Sequence, residues 1–191
     1  VVGIIGHNGA GKSTLCKVMT RILRPDSGKM NVYGETAALL GYGIGFNAQL
    51  TGIDNIMLNG MMLGMPKDAI RNRIDQIIEF SGLHKFINQP LKQYSAGMRA
   101  RLGFSVAAML EPDILIIDEA LSTGDMEFNQ KASLKIQDMI DKAKAVIVVT
   151  HNMRFVEKVC SRAIWLKKGE IQYDGDSREA VKRYVADVKR K

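Results

Sequence analysis

Gly6-His7-Asn8-Gly9-Ala10-Gly11-Lys12-Ser13-Thr14 spells G-x-x-x-x-G-K-S in full, and each residue type in it suits one chemistry. Gly6, Gly9 and Gly11 allow backbone angles closed to other residues, so successive N–H groups can turn inward and cup a phosphate chain. A helix expected over 12–23 adds about half a positive charge at its start. Lys12 can then reach the β- and γ-phosphates, and the Ser13 hydroxyl is sized to ligate a bridging Mg²⁺. Read alone, the stretch is either a triphosphate cradle or a glycine-rich turn. The apolar strand expected over 1–5 and the helix after it favour the cradle.

A second candidate stands at Asp118-Glu119, delivered by the wholly apolar run Ile114-Leu115-Ile116-Ile117. Such a run fits a central parallel strand, and two acids at its carboxyl end are expensive unless used. Thr150-His151 closes a second apolar run, expected as a strand over 146–149. Ser95, within Tyr94-Ser95-Ala96-Gly97-Met98, caps a helix that buries Leu102, Val106, Met109 and Leu110; the open N-terminus there is a second anion site.

The elements that must position these residues follow from local signals. Arg24-Pro25-Asp26-Ser27-Gly28 is a turn, with a short strand expected over 29–33. The stretch 41–46 looks superficially like a second nucleotide loop, but it lacks a following Lys-Ser and reads as a strand and its exit. Thr51-Gly52-Ile53-Asp54 is a capping box that opens a helix to about Leu63. Another helix runs from Pro66 to Gly82 with Ile70, Ile74, Ile77 and Ile78 on one face. Pro112 is expected to end the helix that Ser95 caps, and a further helix covers 127–143. Lys167-Lys168-Gly169-Glu170 joins two strands as a hairpin, and a last helix begins near 176–179. Alternating strands and helices imply a parallel sheet with ligands at the strands' carboxyl ends. The expected organisation is a nucleotide-binding α/β core over 1–50, a helical subdomain over 51–110, and the rest of the core over 111–191.

Composition bounds the function. The chain has 191 residues, 46% hydrophobic and 25% charged, ordinary for a globular protein of one domain with an insertion. No apolar run approaches the length that spans a bilayer. Val1 opens directly on the strand feeding the loop, so further strands are expected to precede it. Cys16 and Cys160 lack metal-type spacing and suit buried thiols in a reducing compartment. The net charge of +7 is partly concentrated in Lys182, Arg183, Lys189, Arg190 and Lys191. A solvated helix end, attraction to anionic lipid and nucleic-acid binding compete as readings. The first is favoured, and no basic helix with interleaved aromatics supports the third.

Taken in order, the phosphate loop, Gln49, the signature at Tyr94 to Met98, Asp118-Glu119, Ser122-Thr123-Gly124-Asp125 and His151 resemble the ATP-binding cassette family, the ATPase subunits of ABC transporters, over essentially the whole chain. The resemblance implies an α/β fold: a P-loop NTPase core with a mainly parallel sheet and an inserted all-helical subdomain, here without the family's first strands. The adenine-stacking aromatic belongs to that earlier stretch. Three departures are informative. The signature reads Y-S-A-G-M where L-S-G-G-Q is commonest, Ala120 follows the acids in place of Pro, and S-T-G-D replaces S-A-L-D. Together with Phe46-Asn47-Ala48-Gln49-Leu50-Thr51-Gly52, they resemble the branch that exports teichoic acids, with O-antigen or capsule export behind it.

By this resemblance the loop residues Gly6 to Thr14 bind ATP, and Ser13, Gln49 and Asp118 hold Mg²⁺. Glu119 takes a proton from, or orients, the attacking water, and His151 contacts the γ-phosphate. Gln49 senses the γ-phosphate and links the core to the helical block. Ser95 and Gly97 bind γ-phosphate across a homodimer. Without the family, Asp118 could be an N-cap, Glu119 a salt-bridged acid, Gln49 a loop amide and His151 a structural residue. His7 is read as loop filler, although it lies inside the phosphate-binding stretch, and His84 as surface. The implied partner is a separate integral membrane permease docked on the helical block, with no nucleic acid, at the cytoplasmic face of a bacterial plasma membrane. Soluble cassettes that remodel ribosomes or DNA are the competing class; those usually carry two cassettes or a long coiled coil. A small-molecule phosphotransferase would not need the signature.

Overall fold

The computed structural model describes residues 1–39, 45–118 and 126–189, with Asp118 as backbone only. Glu119, the stretch 122–125, most of 41–46, Arg190 and Lys191 therefore lie outside the described residues. Two compact units are distinguished. One comprises Val1–Ala38, Pro112–Glu119 and Ala143–Lys191, and the other Leu39–Glu111 and Ala120–Lys142.

The first unit is organised by a sheet of order β2-β3-β4-β1-β5-β6 among the described residues. Its strands are β1 (Val2–Ile5), β2 (Thr36–Leu39), β3 (Ile114–Asp118), β4 (Ala145–Val149), β5 (Arg162–Lys167) and β6 (Glu170–Asp176). β1 runs parallel to β4 and β5, and β3 parallel to β4, while β6 returns antiparallel to β5. The parallel strands are nearly continuous apolar runs because helices cover such sheets on both faces. Helices α6 (Met153–Val159) and α7 (Ser177–Val188) pack Val156, Ala180 and Val181 against Ile5, Ala163 and Trp165. The hairpin turn places Lys168 at φ 52° and Gly169 at φ 84°, the left-handed pair that a tight two-residue connection needs.

Two expectations for this unit are corrected. Helix α1 spans Lys12–Met19, four residues shorter than expected. The Thr20 hydroxyl donates to the carbonyls of Cys16 and Lys17 at 2.9 and 3.1 Å, and Arg21 turns left-handed at φ 61°. A hydroxyl that satisfies the last carbonyls locally competes with continuing the helix. The short strand expected over 29–33 is not formed. Tyr33 is exposed, and β2 lies a few residues further on, where the backbone N–H of Ile114 meets the Glu35 carbonyl at 2.9 Å. Alternation alone made 29–33 look like a strand; pairing decides which segment becomes one.

The second unit is helical. Helices α2 (Gly52–Met62), α3 (Lys67–Ser81) and α4 (Ala96–Ala107) surround Ile56, Ile70, Ile77, Leu91, Leu102 and Val106, all fully buried. The starts and stops match their signals. Thr51 and Asp54 form the reciprocal capping box of α2, Pro66 precedes α3, and Gly82 ends it at φ 64°. Helix α4 stops at Ala107, before Pro112, so the proline is not its terminator. Helix α5 (Met126–Lys142), expected with the core, belongs to this unit. Its Phe128 and Ala132 pack on Phe104 and Ala108, and Phe80, Phe104 and Phe128 form a ring cluster with centroids 5.8–5.9 Å apart.

Part of the basic surface is accounted for by pairing. On α7 the Glu179 carboxylate meets Arg183 at 2.7 Å and Lys182 at 3.9 Å, and the Arg183 guanidinium lies 4.4 Å from the Tyr173 ring centre. Cys16 and Cys160 are buried free thiols, and burial pushes the Cys160 pKa up, as expected for an inert cysteine.

Candidate functional site

The parallel register brings three strand ends to one edge. β1 delivers Gly6 directly after Ile5, Val149 of β4 is the Cα partner of Ile4, and Asp118 of β3 is the Cα partner of Val149. A cleft of about 260 Å³ opens there, lined by residues 8–14 together with Val149 and His151. The phosphate loop and His151, 137 positions apart by subtraction of their numbers, thus share one wall.

Within the loop, Gly6, Gly9 and Gly11 all have positive φ, at 153°, 75° and 102°. A Cβ at Gly6 would fall 2.3 Å from the Leu166 carbonyl oxygen, whereas one at Gly9 would meet nothing within 4 Å. Gly6 is therefore required by close approach to β5, and Gly9 only by its backbone angle. Gly11 starts α1 in the left-handed region, without a side-chain cap and without an acid in the first turn. The contrast within this protein is informative, since α2, α4, α6 and α7 all accept amide hydrogens on an N-cap side chain. Helix α1 presents its first N–H groups to the cleft instead, with no carboxylate to repel an anion.

Lys12 is 8% exposed, and its Nζ donates to the carbonyls of Gly6 at 2.7 Å and His7 at 2.9 Å. The ammonium thus braces the loop from within. Ser13 and Thr14 are exposed at the helix start. His7, read as filler, has its ring 5.2 Å from that of Tyr184 on α7, so it attaches the loop to the last helix. His84 is on the surface, 3.0 Å from Glu79. His151 is exposed and carried by a local turn, in which the N–H of Asn152 donates to the Thr150 hydroxyl at 3.0 Å while Asn152 caps α6.

The remaining predicted residues lie in the helical unit. Gln49 is exposed on a turn ahead of α2. Ser95 caps α4 by accepting the Met98 N–H at 3.1 Å, and a Cβ added at Gly97 would meet only the Ser95 hydroxyl, at 3.8 Å. The backbone of the signature turn is therefore open to a ligand. Two residues that sequence reasoning missed hold these segments. Tyr94 donates to the Phe86 carbonyl at 2.7 Å from a buried position, and burial pushes its phenol pKa up. Asn55 is fully buried among the Gln49 turn's carbonyls. A buried Asn one turn into an amphipathic helix was the available signal.

The ABC transporter family model matches residues 1–122. The chain belongs to the ABC transporter family. It is 44% identical over 99% of its length to the teichoic acids export ATP-binding protein TagH of Bacillus cereus, of which it covers 34%. It is 44% identical over 96% of its length to the O-antigen export system ATP-binding protein RfbB of Myxococcus xanthus, covering 42% of that protein, and 40% identical to RfbB of Klebsiella pneumoniae, covering 74%. The chain thus spans about a third of the length of the Bacillus TagH relatives it matches. Among solved structures, an ATP binding subunit of an ABC transporter superposes with a TM-score of 0.77 at 21% identity, over 96% of this chain and 81% of that one. The ATP-binding cassette MJ0796, in a dimeric post-hydrolysis state bound to ADP and Pi, does so at 0.71 and 22%, over 93% and 85%. The fold is accordingly that of the cassette: a mainly parallel sheet with helices and an inserted helical unit.

Proposed function

We propose that this chain is the ATP-hydrolysing cassette of an exporter of a bacterial surface polymer, working as a pair of cassettes on a separate membrane permease. The observation that carries the nucleotide reading is the cleft itself, where an uncapped helix start, a positive-φ glycine loop and a buried lysine meet His151. Lys12 holds phosphate charge, and the loop N–H groups orient the phosphate chain. Glu119 takes the proton of the attacking water, and His151 holds the terminal phosphate from the β4 side. Ser95 and Gly97 close the site of the partner cassette, with the α4 N-terminus directed at its phosphate.

The donors assigned to Mg²⁺ fit it: a hydroxyl at Ser13, an amide oxygen at Gln49 and a carboxylate at Asp118 are hard oxygen ligands. Ser13 lines the cleft. When bound, the ion supplies charge neutralisation to the transferring phosphate.

Teichoic acid is the proposed cargo class because the TagH relatives carry that name; O-antigen is the alternative from the RfbB relatives, and capsular polysaccharide the alternative from the family resemblance. A peripheral place at the cytoplasmic face of the membrane accompanies this reading, and no helix of the described residues is long and apolar enough to cross a membrane. The test of the shared site mixes a Ser95→Arg copy with a Lys12→Ala copy. Each is inactive as a homodimer, and the mixture regains turnover at the one site that has both residues intact. Failure to regain any, with heterodimers shown to form and one working site shown to suffice in a linked dimer of one wild-type and one Lys12→Ala copy, removes the composite site. Copurification of a permease with the intact protein, and stimulation of its ATPase by a polyol-phosphate polymer over a neutral polysaccharide, tests the cargo.

A further inference from the structure

The segment bearing Gln49 is held in a manner that its exposed position does not suggest. The buried Asn55 side chain reaches back from the first turn of α2. Its Nδ2 donates to the carbonyls of Asn47 at 3.0 Å, Leu50 at 3.1 Å and Thr51 at 2.8 Å, and its Oδ1 accepts the Asn47 N–H at 2.7 Å. Three carbonyls on one side and an N–H on the other define which end of the amide is which. Asn47 passes the constraint on, because its own Oδ1 accepts the Gln49 N–H at 3.0 Å. On the outer side, the same turn is bonded to the segment that leads into the signature. The Lys92 N–H donates to the Ala48 carbonyl at 2.8 Å, the Leu91 N–H to Leu50 at 2.9 Å, and the Gly52 N–H to Gln89 at 3.2 Å.

We propose that Asn55 is a positioning residue for ATP hydrolysis, acting through Asn47 to set Gln49 and locking the Gln49 turn to the segment before Ser95. The proposal rests on the reading given above of Gln49 as a contact to Mg²⁺ and the γ-phosphate. An exposed amide that must meet a phosphate and an ion at a set distance gains from a fixed backbone, because a misplacement of about 1 Å costs roughly 10²-fold in rate. The fully buried Asn55 amide supplies that rigidity where the solvated turn cannot. Packing and carbonyl pairing alone do not require an amide here: the three carbonyls also accept backbone N–H groups, Asn47 from Leu50 at 3.2 Å, Leu50 from Leu91 at 2.9 Å and Thr51 from Asn55 at 3.0 Å. What an apolar side chain would remove is the set of side-chain bonds that tie the turn to α2, including the one donated by the Asn47 N–H.

The experiment measures steady-state ATPase of the intact protein carrying Asn55→Asp, Asn47→Ala or Gln49→Ala, and the Asn55→Asp/Gln49→Ala and Asn47→Ala/Gln49→Ala pairs, below the melting temperature of each. Asn55→Asp keeps the shape but sets a carboxylate oxygen against three carbonyls. It is expected to lower kcat about 10- to 100-fold with little change in the KM for ATP. Asn47→Ala removes only the bond to the Gln49 N–H from an exposed position, so it folds even if Asn55→Asp does not, and lowers kcat about 2- to 10-fold. Both effects vanish on the Gln49→Ala background. An equal loss with and without Gln49, or an Asn47→Ala enzyme with unchanged kcat, overturns the positioning role. A Gln49→Ala enzyme with normal kcat instead overturns the reading of Gln49 itself, and with it this proposal.

Discussion

Removing the Lys12 ammonium while keeping its stem, as in Lys12→Met, separates two roles that the structure gives to one atom. Nζ is bonded to two loop carbonyls at 2.7 and 2.9 Å, and the residue is 8% exposed. Hydrogen bonds from a charged donor contribute about 1.5–3 kcal/mol each, but burying the ammonium offsets part of that. The net loss of stability is therefore about 1–2 kcal/mol, since the buried Gly6 carbonyl loses a partner. For a chain of this length, that is a fall of about 2–8 °C in Tm. Nucleotide binding loses a charged contact to phosphate as well, about 3–4 kcal/mol, or roughly 10²- to 10³-fold in Kd. Chemical denaturation of the nucleotide-free protein reads the first quantity and calorimetric titration with ATP the second. An unchanged denaturation midpoint would refute the bracing of the loop. An ATP Kd within twofold of the wild type would refute the cradle.

Glu119→Gln keeps ATP binding but slows hydrolysis about 10²- to 10⁴-fold, because an amide orients water without taking its proton; near-normal turnover of the purified variant rejects Glu119 as the base. Tyr94→Phe removes the 2.7 Å bond to the Phe86 carbonyl, which keeps the Gln89 N–H at 2.8 Å, and costs about 0.5–1.5 kcal/mol of stability by urea denaturation; an unaltered midpoint contradicts that contribution. The Asp113 carboxylate is held below its usual pKa, first by its hydrogen bond from Lys144 and then by the Glu35 N–H. A depressed folded-state pKa gives stability that is present above the unfolded value of about 4 and lost as pH falls through the folded one. Asp113→Asn therefore flattens the acid limb of the stability–pH curve below about pH 4, and an acid limb identical to wild type contradicts the pairing.

The phosphate loop was legible in the sequence because its function is local: glycine angles, a lysine and a helix start lie within nine residues, and backbone sterics alone dictate the turn. The capping box at Thr51-Asp54, the glycine stop at Gly82 and the apolar run ending at Asp118 were legible for the same reason. Each is a local hydrogen-bonding or burial requirement written in adjacent residue types. What lay beyond a few residues was not. Whether 29–33 or Thr36–Leu39 became a strand depended on the backbone available beside Ile114, and α1 ended early through a hydroxyl that competes with the next turn. The meeting of His151 with the loop came from parallel register, which aligns Ile4, Val149 and Asp118 across three strands far apart in the chain. Asn55 is the clearest case. In sequence it is one of three polar residues of α2, with Asp54 and Asn59, and only folding places four backbone groups of the preceding turn around its amide. Contacts of this kind are decided by which surfaces pack together, and no spacing along the chain encodes them.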